Sequence, residues 1–258
     1  TGSLGTDGQY PAQSSDPVTI SFFTQLSGAN TTDRTFYVEE VANGGGLNRL
    51  QAKYFAGSGG RLEISLEYND GSARFNRFQY NNFENFFTND GSTPPLKHIA
   101  FSYDGTVTAP SVKLYIDGVS SSFDSTTIAT GVGTPNRPDG FLYIGGEAGT
   151  NHTFTGTAQV SSSIDEFVML NKVATQAEID DLYNNGRAME PNYFTALDFT
   201  SSVKTYLSFE NIPGVNPSSP SVPNGTIISD VKQFQNFTAS VPIAGGIQLK
   251  ETSLVLTR

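Results

Sequence analysis

Aromatic and amide side chains are concentrated between residues 75 and 87, where six aromatic residues alternate with several asparagines. Aromatic rings offer flat apolar faces for stacking on sugar rings, and amides can both donate and accept hydrogen bonds with hydroxyl groups. The candidate ligand-binding residues are therefore Tyr80, Asn81, Asn82 and Phe83. The alternative is that this stretch is a strand and a loop packed on the rim of the fold, since aromatic side chains usually serve as core.

The residues that could support catalysis are few. A hydrolytic triad needs a histidine, and the chain has only His98 and His152. His98 falls within a predicted strand, where we expect a structural role, and His152 has no nucleophile motif near it. The adjacent carboxylates Glu39–Glu40 and Asp165–Glu166 would point to opposite faces of a strand and would not flank one glycosidic bond. We therefore predict that the protein is not an enzyme.

The composition excludes several classes of partner. The 258 residues include 25 Asp and Glu against 15 Lys and Arg, and this acidic balance argues against nucleic-acid binding, which needs a basic surface. No apolar run approaches the roughly 20 residues of a membrane-spanning helix, so no membrane insertion is expected. There is no cysteine, which rules out disulfides and thiolate metal sites.

Alternating strands separated by tight turns dominate the chain. Val18–Phe22 alternates apolar and polar residues, and Arg61–Tyr68 does so more clearly. Asn69-Asp70-Gly71 then provides turn chemistry that predicts a hairpin into Ala73–Phe78. Six Asp-Gly and three Asn-Gly pairs occur along the chain, and each suits a turn with positive φ. This pattern predicts an all-β protein, an antiparallel two-sheet β-sandwich of the jelly-roll type.

One short helix is predicted after the last main strand. Thr175 and Glu178 have the spacing of a capping box, and Gly186 stands where a C′ glycine would end the helix. An apolar face lies between them, formed by Ile179, Leu182 and Tyr183. The preceding strand, Ile164–Leu170, is apolar on both faces, as expected if the helix covers one side of it.

The chain is predicted to divide into a jelly-roll domain at 1–191 and a C-terminal extension at 192–258. Val203–Glu210 has the alternation of a strand, but the extension is too short for a second sandwich. It either donates strands back to the main sandwich or begins a second unit, on this chain or a neighbour. We favour the first alternative, because two or three isolated strands are marginally stable in water.

A known family shares the motifs between residues 96 and 183. These are Leu-Lys-His-Ile-Ala-Phe-Ser-Tyr-Asp-Gly at 96–105, Val-Lys-Leu-Tyr-Ile-Asp-Gly at 112–118, and Ser-Ile-Asp-Glu-Phe at 163–167 with Ala-Glu-Ile at 177–179. The stretch resembles the laminin-G-like group of concanavalin A-like lectin/glucanase domains, which are related to pentraxins. The resemblance implies a twisted jelly roll of two antiparallel sheets. The paired-carboxylate run Glu-x-Asp-x-x-Glu of the family's glucanases is missing here.

The resemblance also implies that Ca²⁺ is a possible cofactor. In pentraxins a calcium loop follows Ile-Gly-Gln-Glu, and this chain has Ile-Gly-Gly-Glu at 144–147, which makes Glu147 a candidate ligand. The next two residues are alanine and glycine, so one carboxylate stands where calcium needs six to eight oxygens. Asp165 is a second candidate metal ligand. The alternative is that Asp165 and Glu166 bond to neighbouring backbone amides.

Two functional hypotheses follow from different classes. The first is a non-catalytic binding or adhesion module whose partner is a glycan or a surface protein. In that case Tyr80→Ala or Phe83→Ala should lower sugar affinity with the fold unchanged. The second is a structural component of a virion or extracellular assembly, such as a capsid decoration or fibre protein, acting as a homo-oligomer or within a larger particle. Either predicts an extracellular, cell-surface or virion-surface location.

Overall fold

The structure is a computed structural model, and its elements are almost all strands. It describes residues 2–3, 17–26, 33–43, 46–57, 59–69, 73–87, 95–106, 111–128, 141–145, 162–186, 194–207, 227–229 and 238–240. The strands are β1 Gly2–Ser3, β2 Val18–Leu26, β3 Arg34–Asn43, β4 Gly46–Phe55, β5 Arg61–Asn69, β6 Ala73–Asn81, β7 Lys97–Tyr103, β8 Val112–Ile116, β9 Val119–Ser121, β10 Ser125–Thr127, β11 Phe141–Ile144, β12 Ser162–Leu170, β13 Val203–Leu207, β14 Ile227–Ser229 and β15 Thr238–Ser240. The helices are α1 Gln176–Tyr183 and α2 Phe199–Ser202, and 3₁₀ turns lie at Phe83–Phe87 and Asn184–Gly186.

Two antiparallel sheets form the sandwich, as the sequence predicts. The nine-stranded sheet has the order β10-β6-β5-β4-β3-β11-β1-β15-β14, and the six-stranded sheet has the order β13-β12-β2-β7-β8-β9. The predicted hairpin is β5–β6, in which Asn69 pairs with Ala73. The helices in the described part of the chain have eight residues or fewer, and none could cross a membrane.

The main core lies between the two sheets. The inward residues of β5 are Leu62, Ile64 and Leu66, in agreement with the predicted alternation, and all three are buried. Tyr37 on β3 links the sheets, with ring centroids 6.0 Å from Phe101 and 6.0 Å from Phe167. Each fully buried side chain of this size stabilises the fold by about 1.5–3 kcal/mol. The sandwich is therefore held mainly by aromatic contacts across its interior.

A second core lies on the outer face of the six-stranded sheet, where α1 covers it. Ile179 and Leu182 of the helix and Val168 and Leu170 of β12 are buried together. This arrangement explains why β12 is apolar on both faces. We use the name covered face for this side of the sheet, with α1 and the segment 194–207 that lie on it.

The N-terminus of α1 agrees with the prediction from the sequence, whereas its C-terminus does not. Thr175 is the N-cap, and the predicted capping box with Glu178 is present. The helix ends earlier than predicted, because Asn184 takes the left-handed C-cap conformation at φ 44. Gly186, the predicted C′ glycine, also has positive φ but lies at the end of the following 3₁₀ turn. Asparagine tolerates the left-handed region better than most residues, so it can serve in place of glycine.

The segment after α1 returns to the main sandwich. The carboxylate oxygen Asp181 Oδ2 accepts the backbone N–H groups of Thr195, Ala196 and Leu197 at 3.0, 2.6 and 2.8 Å. The chain then forms β13, which pairs antiparallel with β12 and becomes the edge of the six-stranded sheet. Residues 203–207 therefore add a strand to the six-stranded sheet.

A bulge in β12 turns one acidic side chain toward this returning strand. The register shifts between Asp165 and Val168, and Glu166 adopts φ 49. Glu166 is buried, and its Oε2 accepts the O–H of Tyr206 on β13. Burying a carboxylate is costly unless donors surround it, so this hydrogen bond contributes to holding β13 in place.

Candidate functional site

A polar pocket lies at one edge of the sandwich, where β6 ends and the chain between β9 and β10 passes beside it. Its volume is about 360 Å³, toward the lower end of the range of about 300–1,000 Å³ that is typical of small-molecule sites. We name it the rim pocket; its lining residues are Tyr80, Asn81, Asn82, Asn85, Phe86, Ser121, Ser122 and Asp124. The pocket therefore includes three of the four predicted ligand-binding residues.

Strand pairing brings the two walls of the rim pocket together. β10 lies antiparallel to β6, with Ser125 opposite Gln79. Asp124 joins the walls twice: its N–H donates to the Gln79 carbonyl at 2.8 Å, and its Oδ2 accepts the Asn81 N–H at 2.7 Å. Ser121, Ser122 and Asp124 were not among the residues predicted from the sequence. Nothing local marks them, because they follow Asn81 by about forty residues and reach it only through this pairing.

Phe83 was predicted to contact a ligand, and the structure corrects this prediction. Its side chain is fully buried in the main core, with ring centroids 6.3 Å from Phe36 and 5.2 Å from Phe87. The reason is the 3₁₀ turn at Phe83–Phe87, whose geometry turns both Phe83 and Phe87 inward. Phe83 therefore supports the rim pocket from below and has no surface for a sugar to stack on.

The partly exposed aromatic residues of the pocket are Tyr80 and Phe86. Their ring centroids are 5.8 Å apart at an angle of 44°, so they form a tilted pair at the boundary between pocket and core. Burial, and secondly the nearby carboxylate of Asp124, raise the pKa of Tyr80. A tyrosine hydroxyl is protonated at neutral pH in any case, so that of Tyr80 can donate a hydrogen bond.

The loop that carries the asparagines is fixed from the opposite side. The N–H groups of Phe83 and Glu84 donate to the carbonyls of Gly60 and Gly59, both at 3.1 Å, and the Tyr54 O–H donates to Glu84 Oε1. Gly60 has φ 67, and a Cβ there would lie 2.6 Å from the Tyr54 ring. Only glycine fits this position without a shift, so the anchoring of the loop depends on it.

The rim pocket has polar groups that no part of the described chain uses. Asn81 and Asn82 are exposed, and their side-chain amides make no hydrogen bond to the described residues. Asn82 is held at φ 54, the left-handed conformation that asparagine tolerates. Asp124 is the one charged residue that lines the pocket. Such an arrangement can accept and donate hydrogen bonds to a polar ligand without first breaking internal ones.

A second polar region covers the outer face of β4, β5 and β6, where hydrogen bonds and ion pairs join the strands. Glu63 is almost fully buried; its Oε2 accepts the Gln79 amide N–H at 2.8 Å. The guanidinium groups of Arg61 and Arg77 lie 3.6 and 3.7 Å from the same carboxylate. The Gln51 amide donates to Ser65 Oγ at 2.9 Å. The network links three strands, and within the described residues it leaves Gln51 Oε1 and Arg61 Nε without a hydrogen-bond partner.

His98 lies in the covered face. Its Nε2 is 2.8 Å from Ser21 Oγ, and its ring packs 5.0 Å from Phe23 and 5.7 Å from Tyr183. Burial lowers the pKa of His98 to about 3, against a smaller opposing effect of Asp117. The imidazole is therefore neutral at physiological pH and inaccessible to substrate, in agreement with the structural role expected from the sequence.

The candidate calcium ligands are not brought together in the part of the chain that is described. Asp165 Oδ1 accepts the N–H of Glu166 at 2.9 Å, which is the backbone bond considered as an alternative. Within the described residues no three acidic or histidine side chains converge, and Glu147 lies outside them. A single carboxylate already used by the backbone does not fit the oxygen-rich shell of calcium, so no chemistry is assigned to that ion at Asp165.

Solved structures of similar fold share little sequence with this chain. A tailspike protein of an Escherichia coli bacteriophage is 10% identical, covering 74% of this chain and 23% of that one, with a TM-score of 0.46. A heptameric pentraxin from Limulus polyphemus is 10% identical, covering 65% and 70%, with a TM-score of 0.40. The binding domain of botulinum neurotoxin serotype C1 is 17% identical, covering 68% and 38%, with a TM-score of 0.41. The chain thus spans less than half of the tailspike and toxin chains.

A search of curated protein sequences found no significant match. The sequence profile of one family matches residues 5–180, about two thirds of the chain. That range includes β2 to β12, the rim pocket and most of α1. Its agreement with the observed sandwich shows that the chain belongs to the concanavalin A-like lectin/glucanases superfamily.

Proposed function

We propose that the protein is a non-catalytic glycan-binding module and that the rim pocket is its binding site. The observation that carries the proposal is one concave site that combines hydroxyls and partly exposed aromatic rings with the amides of Asn81 and Asn82, which have no partner among the described residues. Sugars present hydroxyl groups around their edges and apolar C–H faces, and these surfaces match such a lining. The module would act at the surface of a cell or a particle, outside the cytoplasm.

The polar groups of the rim pocket suit recognition better than catalysis. A glycosidase of the usual kind needs two carboxyl groups at either side of the scissile bond. Asp124 is the pocket's sole carboxylate, and one of its oxygens already accepts the Asn81 N–H. The buried carboxylate Glu63 belongs to the paired network on the sheet face. We therefore extend the proposal to a module that binds its ligand unchanged.

The proposal is tested by removing one amide without disturbing the backbone. Asn82→Gly deletes the side chain while keeping a residue that adopts φ 54 freely. The matched control is Asn185→Gly, another exposed asparagine with φ 54 that does not line the pocket. The parent and both variants are screened on a glycan array, and any hit is measured by calorimetry.

The expected result is binding by the parent and the control and at least fivefold weaker binding by Asn82→Gly. Equal affinity in all three proteins would place the binding site elsewhere, and a blank array for the parent would overturn the glycan-binding proposal. Each array is run with calcium and again with chelator. Loss of binding in chelator would show that binding depends on a divalent cation, without locating its ligands.

A second candidate function is a structural role in a virion or extracellular assembly. The observation that favours it is the open end of each sheet: within the described residues, β9 and β10 are edge strands. Val119 on β9 is 67% exposed, so an apolar side chain stands beside free backbone groups. Sedimentation of the full chain at high concentration tests this, and a strictly monomeric protein would contradict it.

A further inference from the structure

We infer that the rim pocket selects neutral saccharides with adjacent hydroxyl groups and rejects saccharides that carry a carboxylate. This inference rests on the proposed glycan-binding function and adds the chemical class of the ligand. Its basis is the position of Asp124 and the absence of a counter-charge among the residues that line the pocket.

One carboxylate oxygen of Asp124 is available to accept hydrogen bonds from a ligand. Its Oδ2 is used by the Asn81 N–H at 2.7 Å, whereas Oδ1 accepts no hydrogen bond from the part of the chain that the structure describes. The residue is exposed and lines the pocket. A carboxylate has lone pairs for several donors, and hydrogen bonds to an ionised acceptor are about twice as strong as neutral ones. Two neighbouring sugar hydroxyls can therefore donate to this group together.

The amides complete the hydrogen-bonding pattern. Where hydroxyls donate to Asp124, their oxygen atoms remain free to accept. Asn81 and Asn82 supply N–H donors that have no partner within the described residues. The hydroxyl of Tyr80, which also lines the pocket, is a further donor. Each bound hydroxyl would thus donate to the carboxylate and accept from an amide or a phenol.

A basic residue on the neighbouring strand is paired outside the pocket. Arg61 lies opposite Asn81 in the β5–β6 register but does not line the pocket. Its guanidinium instead lies 3.6 Å from Glu63 and 4.6 Å from the centre of the Phe55 ring. Arg77 is paired with the same carboxylate. A ligand carboxylate would face Asp124 without compensation, and like charges in contact disfavour binding.

The test compares two sugars that differ only in the group at C6, which is neutral in one and a carboxylate in the other. The probes are a methyl hexopyranoside identified by the array and the corresponding methyl hexuronide, in which the C6 hydroxymethyl group is a carboxylate. The parent should bind the neutral sugar at least tenfold more tightly, and added salt should narrow this difference because it screens the charge of Asp124. A hexuronide that binds as well as the hexopyranoside would overturn the inference while leaving the proposed function intact.

Asp124→Asn is the matching variant, because it keeps an oxygen to accept the Asn81 N–H but removes the charge. It should bind the neutral sugar at least fivefold more weakly and discriminate less against the hexuronide. Asp104→Asn is the control: Asp104 is partly exposed and accepts the Thr106 N–H at 2.9 Å within its own loop, outside the pocket. Unchanged discrimination in Asp124→Asn, with circular dichroism like that of the parent, would also overturn the inference.

The parent protein keeps the test decisive if Asp124→Asn fails to fold. Deoxy analogues of the neutral sugar, each lacking one hydroxyl, should include two adjacent positions whose loss weakens binding at least tenfold, since a site built to bond a hydroxyl rejects the analogue without it. Uniform small effects at every position would contradict the inference. No binding of any saccharide would instead remove the proposed function on which it rests.

Discussion

Two pairs of tyrosine and carboxylate residues, in different parts of the sandwich, have the same chemistry and opposite surroundings. In the covered face, Tyr206 donates to the buried Glu166. In the rim pocket, Tyr80 lies within the electrostatic influence of the exposed Asp124 without a hydrogen bond to it in the structure. The first pair is closed by a strand and a helix, and the second faces solvent. Residue type alone therefore does not tell a structural polar side chain from one that binds a ligand. The two are told apart by whether other residues of the protein already hydrogen-bond to the donors and acceptors of that side chain.

In the covered face, internal hydrogen bonds engage the carboxylates of Asp181 and Glu178 on α1. Asp181 accepts three backbone amides, and Glu178 accepts from Lys172 Nζ at 2.7 Å and from the Thr175 N–H at 2.9 Å. Burial by itself would raise the pKa of both carboxyl groups, but these hydrogen bonds outweigh burial and lower each pKa. The polar groups of the rim pocket are less fully engaged by internal hydrogen bonds. Mutations in the covered face should therefore change mainly stability, and mutations in the rim pocket mainly binding.

The largest effect is expected from Phe83→Ala, which removes the ring beneath the rim pocket. The side chain is fully buried, so its truncation should lower the free energy of unfolding by about 3–5 kcal/mol. Urea denaturation measures this. If Phe83 contacted the ligand directly, as the sequence suggested, stability would stay near that of the parent while affinity fell. That outcome would contradict the assignment of Phe83 to the core.

Acidification should weaken the covered face through His98. Its pKa is about 3 in the folded protein and about 6.5 in the unfolded chain, so the unfolded state binds the proton first as the pH falls. Stability is then lost progressively below pH 6.5, by about 2 kcal/mol between pH 7 and pH 5 from this residue. Urea denaturation at both pH values measures the loss. His98→Gln should reduce the loss of stability between pH 7 and pH 5. An identical pH dependence in the variant would show that other groups are responsible.

Tyr206→Phe should affect stability alone. It removes a donor from the buried Glu166 carboxylate, and the cost of weakening such a site is about 1–3 kcal/mol. Thermal unfolding measures the change, and calorimetry with a sugar ligand should show the affinity of the parent. A loss of affinity would mean that the two regions are coupled, and it would contradict the view that the covered face contributes to stability and not to binding.

Tyr80→Phe should give the smallest change in stability. In contrast to Tyr206→Phe, it should lower sugar affinity and leave stability nearly unchanged. The ring and its contact with Phe86 are kept, so the free energy of unfolding should change by less than about 0.5 kcal/mol. Sugar affinity should fall by about 2- to 10-fold, the value of one hydrogen bond. Calorimetry of this variant beside Tyr206→Phe gives the direct contrast, and unchanged affinity would remove the Tyr80 hydroxyl from the site.

Much of the fold follows from local pattern, whereas the site follows only in part. The alternation of Arg61–Tyr68 and the capping box at Thr175 are properties of neighbouring residues, and both were predictable. The rotation of Phe83 into the core depends on a 3₁₀ turn that aromatic content does not specify. Asp124 reaches the pocket through pairing between β6 and β10. Such long-range pairing leaves no local trace in one sequence, which is why Ser121, Ser122 and Asp124, three of the eight lining residues, were missed.

The position of β13 has a practical consequence for producing the domain. The family profile ends at residue 180, yet β13 at Val203–Leu207 forms the outer edge of the six-stranded sheet beyond that limit. A fragment cut at the profile boundary would expose the backbone edge of β12 beside the apolar residues Val168 and Leu170. Open edges of this kind recruit strands from other molecules. Expression boundaries for crystallisation or binding studies should therefore fall after Leu207.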